Sequence, residues 1–166
     1  MLHNLLIVAH AAFAVAAFFL GVIAVLRPAG RMSTTFRVYL AALWLMVLFL
    51  ITVVLVDWMG LDPSSRIVYS ALLALAVYTG WRGWSAARDL QHRADDWQSA
   101  YIEDVGFTLI ALFDGFVIVS SIDLGAPIAL VVAIGVLGVL AGRHGIQRVK
   151  GRALLSSPAR LGRKPA

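Results

Sequence analysis

Two apolar runs, Leu5 to Leu26 and Val38 to Val56, constrain this chain more than anything else in it. Only His10 interrupts the first, and only Thr52 and the polar ring substituents of the aromatic residues interrupt the second. Each matches the roughly 20 residues that a helix needs to cross the hydrocarbon of a bilayer. Within that layer a segment must satisfy its own backbone N–H and C=O groups, so both runs read as membrane-spanning helices. Composition agrees: 61% of the 166 residues are hydrophobic and 14% charged, with mean hydropathy +0.87, whereas soluble domains carry about 25% charged residues.

Extending this reading along the chain gives an all-α integral membrane protein with about five spans, near 4–26, 37–57, 66–84, 100–120 and 124–142. Residues 1–145 form the bundle and 146–166 a basic cytoplasmic tail, disordered at its end. The third and fourth spans carry Tyr69, Ser70, Tyr78, Thr79, Thr108 and Asp114, which suits contact with protein more than lipid. No basic segment precedes the first run, and Arg27 and Arg31 follow it, so it is expected to stay as an anchor with the N-terminus outside. Arg27, Arg31 and Arg37 flank the first connection, Arg82, Arg88 and Arg93 the third, and seven more basic residues lie after Gly142. Only Arg66 falls on the other side, so the positive-inside rule makes the C-terminus cytoplasmic.

The basic balance, net +5 with pI near 10.2, then belongs to the membrane edges. There it meets anionic lipid, and nucleic acid is not an expected partner. The absence of cysteine excludes disulfides, thiolate metal sites and thiol catalysis. No nucleophile elbow, phosphate-binding loop, HExxH or dinucleotide glycine fingerprint occurs, so the chain gives no support to an enzyme. His92 with Asp95 and Asp96 lacks a second histidine at ligand spacing, and no metal site is assigned.

Asp114 stands out inside the fourth span, where an aspartate at mid-helix costs roughly 2.5 to 3.5 kcal/mol. At 1.5 Å rise per residue it lies about 9 Å below the outer end of its span, and His10 lies about 8 Å below the outer end of the first. Equal depth makes the pair the expected ligand or proton site, with Tyr69 and Ser70 at a similar level. Glu103, Phe107, Ile110 and Asp114 share one stripe of the fourth helix. At its inner end Glu103, Asp104 and His144 form a second, cytoplasmic polar site, with Arg82 or Arg143 as further partners. His3 and His10, seven residues apart, share a face of the first helix.

Gly138 and Gly142 form a GxxxG element on the fifth helix, suited either to a homodimer or larger membrane complex or to packing on the small residues of the first helix. Haem ligation stays open through one axial histidine or a pair across a dimer, since His10 has no second histidine at its depth.

The segments His10-Ala-Ala-Phe through Gly21, Leu26-Arg-Pro-Ala-Gly30, Phe36-Arg37-Val-Tyr39, and Arg82 through Ala87-Arg88, Gln91-His92-Arg93 and Trp97 carry a resemblance. Over about residues 8–120 the chain resembles the bacterial membrane-protein family known as domain of unknown function 2306. The resemblance implies a helical bundle, a bacterial cytoplasmic membrane and no particular activity. Members of that family carry a histidine–arginine pair before the second span, where this chain has Ser33-Thr-Thr-Phe-Arg37, so a site built on that histidine is not expected here.

Two functions follow from the residues. In one, the bundle binds or moves a proton, cation or small ligand; in the other, it is an accessory or assembly subunit of a larger complex.

Overall fold

A computed structural model of the chain describes residues 2–26, 32–93 and 97–155. They form five α-helices, with no strand among the described residues: α1 (Leu2–Leu26), α2 (Thr34–Asp57), α3 (Pro63–His92), α4 (Trp97–Asp123) and α5 (Ile128–Leu155). Two helical stretches, His3–Leu26 and Thr34–Gly60, are long and apolar enough to cross a membrane.

Local chemistry sets where the helices start and stop. Ser33 is extended, with ψ 159°, and its hydroxyl accepts the Phe36 N–H at 3.2 Å, which satisfies one of the free donors at the start of α2. A single 3₁₀ turn, Trp58–Gly60, follows α2. Pro63 then opens α3, where its fixed φ and missing N–H are harmless. Between α4 and α5, Gly125 sits at φ +74° and the Ala126 N–H donates to the Ser121 carbonyl at 2.9 Å. That bond pattern ends a helix with a left-handed residue, a conformation that glycine adopts without a Cβ penalty.

Helices α1 to α4 form a ring: α1 packs on α2, α2 on α3, α3 on α4, and α4 back on α1. Helix α5 lies outside the ring, with its extensive contact on α4. One end of the ring is solid, where α1 and α3 finish and α2 and α4 begin. Phe36, Tyr39, Leu43, Tyr101, Ile102 and Val105 are buried there. Small residues permit the approach: a Cβ on Gly83 would lie 2.5 Å from Leu43 Cδ2, and one on Gly21 would lie 2.9 Å from Leu109. Two tyrosines brace the same end. The Tyr101 hydroxyl donates to the Ala24 carbonyl at 3.1 Å, within the last turn of α1, where carbonyls lack helical partners. Thr108 donates to the Val105 carbonyl at 2.7 Å, so the Tyr39 hydroxyl is the donor in its bond to Thr108.

The helices outrun the expected spans. The polar stretch from Trp84 to His92, expected as a loop, continues α3 as helix. Arg93, at φ 46°, marks its end. No proline or glycine falls between Trp84 and His92, and polar residues there are compatible with helix. Likewise α5 runs unbroken past Gly142 and Gly145 to Leu155, so no structural boundary separates the bundle from residues 146–155. The loop residues Arg27 and Arg31, the pair Asp95 and Asp96, and the tail beyond Leu155 lie outside the described residues.

Candidate functional site

At the end opposite the solid core, the ring splays into an open cleft of about 630 Å³ lined by all four helices. Its walls are apolar, with Leu50, Val54, Leu72 and Phe116 among them. Six polar side chains also line it: His3, His10, Asp57, Tyr69, Thr79 and Ser120. His3 Nδ1 lies 2.7 Å from Asp57 Oδ2, which joins the first turn of α1 to the last turn of α2. Tyr69, on the second turn of α3, borders the same mouth.

His10 is held differently. Its Nδ1 lies 3.0 Å from the Met46 carbonyl. A carbonyl oxygen can only accept, so Nδ1 carries the hydrogen and, in the neutral ring, Nε2 keeps its lone pair. His3 and His10 do share one face of α1, and both line this cavity.

The structure does not bring His10 and Asp114 together. His10 is committed to α2, whereas Asp114 does not line the cleft and turns its carboxyl onto Gly138 of α5, close enough to overlap any Cβ placed there. The two side chains point in different directions around their helix axes. Ser70 is exposed and lines no part of the cleft, although its neighbour Tyr69 does.

Of the stripe on α4, Phe107 packs on Tyr78 and Arg82 of α3, whereas Glu103, Ile110 and Asp114 face α5, and α4 and α5 form an antiparallel seam. Glu103 pairs with Lys150 at 3.1 Å, Ile146 seats on Gly106, Ile110 on Gly142, Asp114 on Gly138, and Ile118 on Gly135. Gly138 and Gly142 thus pack within the chain, on α4 and not on α1. Each successive contact steps three or four residues along both helices, as side chains on one helical face must. Asp114 is 7% exposed, and among the described residues no hydrogen bond or ion pair reaches its carboxyl.

The inner polar residues separate into two pairs. Glu103 takes Lys150, and Asp104, buried, takes Arg82 at 2.9 Å. The Arg82 guanidinium also lies 5.2 Å from the centre of the Phe107 ring, favourable for a cation over a π face. His144 is exposed on α5 and belongs to neither pair. Among the described residues no group of three metal-ligating side chains converges.

Sequence reasoning missed the His3–Asp57 pair. Its signal was present: consecutive antiparallel helices put the start of the first beside the end of the second, where these residues lie. No family model, curated protein or solved structure matches this chain.

Proposed function

We propose that the chain is a five-span membrane protein, N-terminus outside and C-terminus cytoplasmic, whose cleft binds a small lipophilic molecule bearing a hydrogen-bonding head. Three things support the membrane reading. Only 17% of the apolar stretch of α1 and 39% of that of α2 is buried, whereas a core helix of a soluble protein would be largely covered. Leu5, Val8, Phe19, Leu55 and Ile67 are each more than half exposed, a surface that water would not tolerate over so large an area. The basic residues Arg82, Arg88 and Lys150 gather toward the end of the bundle opposite Asp57 and Asp62, as the positive-inside rule requires.

The observation that carries the ligand reading is the His3–Asp57 pair at the mouth of a largely apolar cavity. Ligand pockets combine apolar walls with a few placed polar groups, and this cleft has that division. The apolar body of a ligand fits between Leu50, Val54, Leu72 and Phe116, while its head meets His3, Asp57 and Tyr69 and can donate to His10 Nε2. Membrane lipid and lipid-soluble carriers have this chemistry.

Purified protein, extracted into organic solvent and assayed by mass spectrometry, tests the reading. One amphipathic compound is expected near one molecule per chain, and Ala11→Trp, which fills the cleft from an exposed position on α1, should abolish its recovery. Equal recovery from both proteins, or none from the unaltered chain, defeats it.

A further inference from the structure

Of the contacts along the α4–α5 seam, those above the Glu103–Lys150 pair are isoleucines seated on glycines, with one exception. Asp114 seats a carboxyl on Gly138 where the pattern would place another aliphatic side chain. Asp114 as a whole residue is 7% exposed, and no partner among the described residues compensates a charge on its carboxyl. The elements packed on α4 supply none. Helix α5 has no ionisable residue from Ile128 to Gly142, and α3 has none between Tyr69 and Tyr78. Helix α1 offers only His3 and His10, which are held by Asp57 and Met46. On α4 itself the nearest charges are Asp104, held by Arg82, and Asp123 at the far end. An unpaired carboxylate in such surroundings is stable only with its proton attached.

We propose that Asp114 is a proton-binding site closed by the Gly138 surface of α5. When the seam is seated, the carboxylate has taken up one proton from water and is a neutral acid. When α5 draws away from α4, the acid meets water and returns that proton. Glycine at position 138 makes the seated state accessible, because any Cβ there would occupy the space of the carboxyl oxygen. Helix α5 is the element free to do this, since its extensive contact is with α4 alone. The site is separate from the cleft, whose lining does not include Asp114, so it stands or falls independently of the ligand.

Infrared spectroscopy of the full chain in phosphatidylcholine vesicles tests the proposal. The carbonyl stretch of a protonated carboxyl group, identified by its loss in Asp114→Asn, is expected at neutral pH and should vanish only on alkaline titration. In Gly138→Ala the added methyl keeps the seam from closing, and the midpoint should fall by at least one pH unit, a tenfold loss of proton affinity. Absence of the band from the unaltered protein at neutral pH overturns the proposal, as does an unshifted midpoint in a folded Gly138→Ala.

Should that variant not fold, spin labels on a Glu103→Cys, Lys150→Cys chain report the seam without altering position 138. Their separation should lengthen as the pH rises through the titration of the band, and should be insensitive to pH once Asp114→Asn is added. A separation that ignores pH in the presence of Asp114 overturns the coupling.

Discussion

Ile110 fills the space beside Gly142 so closely that a methyl group at position 142 would overlap it. The isoleucine is branched at Cβ and stiff at χ1, so it has little room to turn aside. Gly142→Ala should therefore destabilise the protein by about 1 to 3 kcal/mol, the usual cost of overpacking. Pairing it with Ile110→Ala should recover part of that loss, because the two residues share one contact. Gly145→Ala, where no heavy atom lies within 4 Å of the added carbon, should be neutral or stabilising by up to about 1 kcal/mol through helix propensity. Thermal unfolding in detergent separates the three. Equal loss from both glycine substitutions would mean that the seam does not form.

The Arg82–Asp104 pair predicts a larger effect. Asp104→Ala strands a guanidinium whose side chain is 22% exposed, and breaking a buried pair in this way costs about 3 kcal/mol. Adding Arg82→Met should restore most of the stability, since it removes the orphaned charge and keeps an apolar contact with Phe107. A double-mutant cycle on unfolding midpoints measures this, and simple additivity of the two losses would rule out the pairing.

Orientation is open to direct test because the chain has no cysteine, so every introduced thiol is a lone reporter. Met59, 87% exposed in the turn between α2 and α3, should react as Met59→Cys with a membrane-impermeant maleimide added to intact cells. Gly151→Cys, exposed near the end of α5, should react only after permeabilisation. The reverse pattern would invert the topology, and labelling of both in intact cells would place the two ends on one side.

How much of this was legible in the sequence depended on what each signal measures. Hydropathy located all five helices, because each contains an apolar stretch, but an apolar span does not tell where its helix ends, and α3 and α5 run on beyond theirs. Residues such as Arg88, Asp89 and Gln91 are unwelcome in lipid and perfectly acceptable in a helix. Spacing grouped Ile110 with Asp114, since positions four apart share a face, and His3 with His10, but it also placed on the Asp114 stripe Phe107, whose ring meets α3. It could not say which neighbour each face meets. Counting along the spans gives Asp114 and His10 a similar expected depth, but the azimuth of each follows from the packing order of the helices, which periodicity does not contain. The His3–Asp57 pair was the more accessible inference, because a short antiparallel connection fixes both coordinates at once.

The position of α5 outside the ring has a consequence for biosynthesis. Among the described residues, every buried residue of the core cluster belongs to α1 through α4, and α5 adds Ile146 and Val149 at its margin. A nascent chain that has reached Asp123 already contains everything needed to close that core. The last helix has only to dock onto that surface, the kind of contact by which separate subunits assemble. Until it arrives, the Asp114 carboxyl stands uncovered on the face that α5 will occupy.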